Sequence, residues 1–332
     1  MKEMKYNFVF FASDFHCYET SYGDIIGLDN VRYLNNFIPK RNAIARLLYK
    51  IHHSKKINKH INLPLKSIWF PSYFKNDFIK KKPICFIFSS DWFFLVELGF
   101  LEYLKKKFPD SKFVVFFQDL IDLKRNLDIN VFKKKFDLLI SFDHREANKY
   151  NIAYSPLVNS KSKLDLSSSL PETDVYFLGA AKNRLDEIIS AYEILKAKNL
   201  NCDFYITGVP KEKQKYTDEI HYINSMQYID NLKHLVKSKS ILEIMQKGGH
   251  GYTQRMVEAI TYDKKIITNN PEVRNDPFYN SKNILSFKNI EEITGNSLFF
   301  ENFNRKTDHK YKDEISPIRL LEFITNKISQ KQ

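Results

Sequence analysis

Short apolar runs rich in β-branched and aromatic residues alternate with longer stretches of helical period, and this alternation constrains the fold more than any single motif. In the first half the spacing predicts strands over Asn7 to Ala12 (NFVFFA), Ile84 to Ser89 (ICFIFS), Phe113 to Phe117 (FVVFF) and Leu138 to Phe142 (LLISF). Helical periods fit Asn42 to His53 and Asp91 to Phe108, the second stopping before Pro109. A Ser- and Lys-rich stretch, Tyr154 to Leu170, has little helical period and reads as a linker. A second series then begins. Its strands fit Asp174 to Leu178, Cys202 to Thr207, Ser240 to Met245, Lys265 to Thr268 and Asn283 to Phe287. Its helices fit Arg184 to Ala197, Tyr228 to Lys237, Tyr252 to Tyr262 and Pro317 to Ile328. Two consecutive α/β units closed by a terminal helix predict a pair of Rossmann-like domains facing a cleft, with that helix crossing back. The expected division is 1–160, a linker over 161–173, and 174–332.

A chain of 332 residues with 43% hydrophobic and 15% aromatic residues has ample material for two cores, which excludes a disordered or collagen-like chain. Three scattered cysteines, Cys17, Cys85 and Cys202, supply neither a disulfide framework nor a zinc cluster. The opening segment is too short in apolar residues for a signal peptide. No run approaches the roughly 18 apolar residues of a membrane span, and mean hydropathy is −0.42. The expectation is a cytoplasmic protein.

The net charge of +13 is unevenly placed. Residues 1–160 hold 26 Lys+Arg against 16 Asp+Glu, net +10, and the remainder only +3. Basic clusters lie at Lys50 to His60, Lys80 to Lys82, Lys105 to Lys107 and Lys133 to Lys135. They fit either solvated helix faces or peripheral contact with an anionic membrane, at the inner membrane face. No helix-turn-helix, zinc finger or aromatic RNA-binding motif accompanies them, so nucleic acid is not an expected partner.

The chemistry concentrates in Ser240 to Asn270, SILEIMQKGGHGYTQRMVEAITYDKKIITNN. An apolar strand runs into a glycine-rich turn (Gly248, Gly249, His250, Gly251, Tyr252), and a helix opens near Thr253. Backbone N–H groups at such a turn are unsatisfied and suit a phosphate. Thr253 caps the helix or donates to a phosphate oxygen, Arg255 adds a charge-assisted hydrogen bond, and Glu258 suits a pair of ribose hydroxyls. The same residues also fit a tight turn in which Glu258 is solvated or salt-bridged and Val257 and Ile260 are core contacts.

This segment resembles the nucleotide-binding segment of GT-B glycosyltransferases, in the form typical of bacterial lipopolysaccharide-core and capsule transferases. The resemblance rests on Gly249 to Gly251, Thr253, Arg255, Glu258-Ala259, the strand Lys264 to Asn270, and Asp276, Phe278, Tyr279 and Asn283. It implies that Glu258 binds the donor ribose, and that the loop and Thr253 hold the diphosphate or sugar. The chain departs from the family's Glu-x7-Glu pattern, since His250 stands near the place of the first acid. Asp174 to Arg184 (DVYFLGAAKNR) resembles the first strand and turn of the GT-B C-terminal domain. There Gly179 lets a ligand approach the backbone, while Lys182 and Arg184 neutralise a diphosphate leaving group. Gly208, after the next strand, fits a further loop at the same sheet edge.

An acceptor hydroxyl needs a base to take its proton. Polar residues just past strand ends are the best placed: in order of preference Asp14, Asp119, Asp91 and His16. Asp143-His144, after LLISF, lie at a further strand end; with Arg145-Glu146 they resemble the GT-B entry to the helix before the crossover, which implies a mostly structural role. Without an Asp-x-Asp, HExxH, CxxC or P-loop motif, the expected catalysis is metal-independent and needs no cofactor beyond a nucleotide-sugar donor substrate. The expected function is transfer of a hexosyl group to a glycan acceptor, lipid-linked or at the membrane face, in surface polysaccharide or lipo-oligosaccharide biosynthesis. A nucleotide-sugar epimerase of the same fold and a non-catalytic membrane-surface scaffold are the alternatives.

Overall fold

A computed structural model describes residues 4–13, 16–35, 43–61, 63–124, 127–245, 251–276 and 278–330. The first series forms six strands: β1 (Asn7–Phe11), β2 (Val31–Leu34), β3 (Ile84–Phe88), β4 (Lys112–Phe117), β5 (Leu138–Ser141) and β6 (Ala153–Tyr154). They lie in the order β2-β1-β3-β4-β5-β6, every pair parallel. The second series forms β7 (Thr173–Ala180), β8 (Cys202–Thr207), β9 (Ile220–Ile223), β10 (Ser238–Glu243), β11 (Lys265–Thr268) and β12 (Ile284–Ser286). Their order is β12-β11-β10-β7-β8-β9, again wholly parallel.

Each order reverses once, between β1 and β3 in the first sheet and between β7 and β10 in the second. At such a switch point the outgoing loops diverge to opposite faces and leave a crevice beyond the carboxyl ends of the strands. The sheets are covered on both faces, so β1 and β3 are buried along their whole length and read as continuous apolar runs. One apolar core joins the two halves. Tyr6, Phe8 and Ile140 of the first half share it with Met256 and Ile260, and with Leu320, Leu321 and Ile324 of the terminal helix Pro317–Ser329. That helix crosses back to the first sheet, where Leu320, Leu321 and Ile324 share the core with Tyr6 and Ile140.

Two expectations change. The helix expected over Asp91 to Phe108 is interrupted: a short 3-10 turn Ser90–Trp92 and a helix Phe93–Glu97 precede a second helix, Phe100–Lys107. Gly99 sits between them at φ +90°, a left-handed conformation that breaks the helical run. Strands β2, β6 and β9 were not anticipated, because VRYL, AY and IHYI are short and carry no continuous apolar run. Each is drawn into place by pairing with a stronger neighbour.

Candidate active site

The second sheet's switch point carries a cluster of buried charges. Glu243 ends β10 and is almost wholly buried. Thr253, the N-cap of helix Gln254–Thr261, donates its hydroxyl to one oxygen of this carboxylate. Thr268, at the end of β11, donates to the other at 2.5 Å. The Thr253 hydroxyl also accepts from the Met256 amide at 3.4 Å, so one side chain caps the helix and ties it to the strand. Burial pushes the Glu243 carboxyl up, while the two hydroxyls, Arg255 and Arg184 oppose the shift.

Both arginines are committed to strand-end carbonyls. Arg255 donates through Nε to the Leu178 carbonyl at 2.6 Å and again through Nη2. Arg184 donates to the Ile244 carbonyl through Nη1, and through Nε and Nη2 to Ala180 at 3.3 and 3.2 Å. The guanidinium of Arg255 occupies the space a Cβ on Gly179 would need, with the Phe177 ring 3.2 Å from that position. Gly179 is thus a close-approach glycine, and the group that approaches it is a side chain of the same protein. Burial lowers the affinity of both guanidiniums for their proton. Repulsion by Arg255 adds to the effect at Arg184, bringing it down to about 10.

Glu258 lies inside the helix and is buried. Its carboxylate accepts from the Tyr228 hydroxyl at 2.8 Å. Burial raises its pKa against Tyr228 and Arg255. Val257 and Ile260 are fully buried core residues of the same helix. Lys182, by contrast, is exposed in the turn after β7, with φ +46°. Gly208 is exposed after β8 and, with Val209, Tyr222 and Asn224, lines a shallow pocket of about 290 Å³. Gly251 and Tyr252 are buried, and the Tyr252 ring meets Phe278 edge-on at 5.2 Å. Gly249 and His250 lie outside the described residues.

The carboxyl ends of the two sheets face each other. Gly251, after β10, packs against Phe142, after β5: a Cβ there would stand 2.8 Å from the Phe142 carbonyl oxygen. Glu272 pairs with Arg145 and lies 3.5 Å from His144 Nε2. Gln254 donates to Ser21 at 3.1 Å and to Asn159 at 3.3 Å. Asn159 in turn donates to Thr261 at 3.0 Å. The helix His16–Ser21 that follows β1 therefore abuts the start of the Glu258 helix, and the Cys17 thiol is pushed up by burial and then by the Glu258 charge.

Four residues were expected on the acceptor side. Asp14 lies outside the described residues, and His16 is the first residue of that abutting helix. Asp91 is exposed in the turn after β3, the other strand at the first switch point. Asp119 is exposed after β4, with Lys124 Nζ at 3.6 Å. Asp143 is buried and caps the next helix, accepting from the Arg145 and Glu146 amides at 3.0 Å each. Sequence reasoning passed over Glu243 and Tyr228. The signal for Glu243 was a lone acid within the apolar strand SILEI; for Tyr228 there was none. Among the described residues no three His, Cys, Asp or Glu side chains are grouped to hold a metal ion. Nor is any helix among them long and apolar enough to cross a membrane.

No protein-family model matches the sequence, and neither does any curated protein. Solved structures are similar over the whole chain. UDP-GlcNAc 2-epimerase from Neisseria meningitidis, bound to UDP-GlcNAc, aligns with 97% of this chain and 99% of its own at 11% identity and TM-score 0.51. Sucrose-phosphate synthase from Thermosynechococcus elongatus aligns over 97% and 99% at 8% identity and TM-score 0.50. The lipopolysaccharide outer core galactosyltransferase WaaB, in its apo form, aligns over 98% and 99% at 10% identity and TM-score 0.47. With two doubly wound parallel sheets opposed at their carboxyl edges and a terminal helix returning to the first, the chain has the GT-B fold.

Proposed function

We propose that this protein is a glycosyltransferase that moves a sugar from a nucleotide-sugar donor to a glycan hydroxyl, lipid-linked at the inner membrane face, in bacterial surface polysaccharide or lipo-oligosaccharide assembly. The supporting observation is the position of the two switch points. The turns after β7 and β10, with the helix that the second leads into, carry Lys182, Arg184, Thr253, Arg255 and Glu258 of the residues assigned to the donor, and the segments after β1 and β3 carry Asp14, His16 and Asp91. The first sheet and its helices, within 1–160, form the acceptor side; 174–332 form the donor side, joined through 161–173.

In this reading Lys182, exposed in its turn, meets the leaving diphosphate together with the backbone around Gly249, His250 and Gly251. Arg184 and Arg255 position the site by holding the Ala180, Ile244 and Leu178 carbonyls, and Thr253 sets the helix start. Glu258 accepts the ribose hydroxyls by exchanging the Tyr228 donor for them. Gly208 and Tyr252 border the donor. The base takes the proton of the attacking hydroxyl as its oxygen bonds to the anomeric carbon and the nucleoside diphosphate departs with the bonding electrons. Asp14 is the preferred base, ahead of Asp119, Asp91 and His16. The leaving charge is met by lysine and backbone amides, so the mechanism is metal-independent.

The test is a thermal-shift screen against UDP, GDP, CMP, dTDP and ADP, each free and as its sugar conjugate. A ligand at a hundred times its dissociation constant stabilises the native state by about 2.7 kcal/mol. One nucleotide should raise the melting temperature in the wild type and fail to do so in Lys182→Ala and Glu258→Gln; no rise with any nucleotide overturns the reading. The epimerase reading draws on the likeness to UDP-GlcNAc 2-epimerase. It predicts that the matching nucleotide sugar is converted with no acceptor present.

A further inference from the structure

The helix Ala43–His52 is attached to the body of the protein by the face opposite to its apolar stripe. Tyr49 is its buried residue, accepting a hydrogen bond from the Tyr73 hydroxyl at 3.0 Å and meeting the Trp69 ring edge-on at 5.3 Å. Trp69 Nε1 donates to His52 Nδ1 at 2.9 Å. With that side pinned, Ile44, Leu47, Leu48 and Ile51 form an i, i+3, i+4, i+7 stripe turned away from the core, with 71%, 59%, 53% and 42% of their surfaces exposed. A surface helix of a soluble domain ordinarily buries such a stripe. Leu65 and Ile68, in the segment that supplies Trp69, are also apolar and are 72% and 56% exposed.

Charge selects the partner. Between Asn30 and Asn76 the sequence holds ten Lys and Arg residues and not one Asp or Glu. Lys50 flanks the stripe at Leu47, and Arg46 and Lys56 are exposed on the same helix and the next. A second protein surface would match the leucines and isoleucines, yet an identical copy would oppose this positive charge with its own. An anionic lipid surface accommodates both, because apolar side chains enter the acyl boundary while basic ones stay among the headgroups. At ten residues the helix is about 15 Å long, a length suited to lying in the interface plane.

We propose that the exposed face of the helix Ala43–His52 is a membrane-docking surface that seats the protein on anionic lipid through the stripe Ile44, Leu47, Leu48 and Ile51 and the basic side chains Arg46 and Lys50. The helix packs through Tyr49 and the adjoining His53 on Trp69, Tyr73 and Phe94 of the first half, which leaves the stripe outside that contact. The surface is independent of nucleotide binding, and its test does not depend on the glycosyltransferase reading.

The experiment is co-sedimentation of the full chain with vesicles of phosphatidylcholine alone and of phosphatidylcholine mixed with phosphatidylglycerol, at low and high salt. Binding is expected to the anionic vesicles and to weaken as salt rises. Arg46→Gln with Lys50→Gln should lower partitioning about five-fold for each charge removed. Leu47→Ser with Ile51→Ser should lower it about ten-fold for each side chain. All four positions are exposed, and circular dichroism checks that the variants fold. Lys106→Gln with Lys134→Gln, in two other basic clusters, should bind nearly as the wild type does. Failure to bind anionic vesicles overturns the proposal. So does wild-type binding by the stripe variants, or an equal loss in the Lys106 and Lys134 control. A concentration-dependent dimer in sedimentation velocity, abolished by the stripe variant and accompanied by no vesicle binding, assigns the face to a second copy instead.

Discussion

Gly179→Ala tests whether the buried charge cluster sets the geometry of the donor side. The new Cβ would collide with the Arg255 guanidinium, and it would stand 3.2 Å from Phe177 Cζ. The guanidinium tip belongs to a flexible side chain, but it is partly buried and holds the Leu178 carbonyl through two nitrogens. Moving it forfeits hydrogen bonds from a charged donor, each worth about 1.5–3 kcal/mol. The crowding against Phe177 adds about 1 kcal/mol. A total of about 2–4 kcal/mol follows, a large share of the roughly 5–15 kcal/mol that stabilises a typical protein. The assay is urea unfolding of a double-mutant cycle with Arg255→Lys, whose narrower ammonium keeps the charge but vacates the space over Gly179. In the lysine background Gly179→Ala should cost only the Phe177 crowding, giving a coupling of about 1.5–3 kcal/mol. Equal costs in both backgrounds, within about 0.5 kcal/mol, would refute the assignment of Gly179 to the arginine's approach.

Three further outcomes follow from the same geometry. Glu243 and Glu258 have raised pKa values through burial. The stability tied to their protonated forms is therefore complete below the ordinary carboxyl value and is lost as pH rises through the raised folded-state values; Glu243→Gln should flatten the stability–pH curve above about pH 4.5, and an unchanged curve counts against the buried acid. Gly251→Ala places a Cβ 2.8 Å from the Phe142 carbonyl oxygen and should cost about 1–3 kcal/mol. It should loosen the contact between the two sheets, seen as faster hydrogen exchange in residues 155–172; unchanged exchange would contradict that contact. Glu272→Ala removes the partner of Arg145 and His144, but Arg145 is half exposed, so the melting free energy should move by less than about 1 kcal/mol. A loss above about 2 kcal/mol would show that the pair is more than a surface bridge.

The two α/β series were legible because strand and helix periods are local, and each element announces itself over five to fifteen residues or so. Caps were legible for the same reason. Asp143 and Thr253 sit directly before their helices and accept from amides two or three residues on. The interrupted helix at Gly99 was not, since a lone glycine in a helical pattern does not disclose its φ. Edge strands β2, β6 and β9 were hidden because their pairing energy comes from neighbours distant in sequence.

At the candidate site the residue types were readable and their partners were not. The composition, the two-part alternation, the glycine-rich strand-to-helix turn and the acid-free basic stretch are properties of the chain itself. Arg255 was recognised as a cation near a helix start, yet only the packed structure gives it the Leu178 carbonyl, 77 residues away. Glu258 was recognised as a carboxylate in a helix, and tertiary packing decides that Tyr228, 30 residues earlier, holds it. The same packing turns the stripe Ile44 to Ile51 outward by pinning Tyr49 and His52 beneath it. Local sequence determines what each segment is able to form and which charges it carries. Burial, and with it the hydrogen-bond partner and proton affinity of every buried charge, is settled only when segments far apart in the chain close around one another.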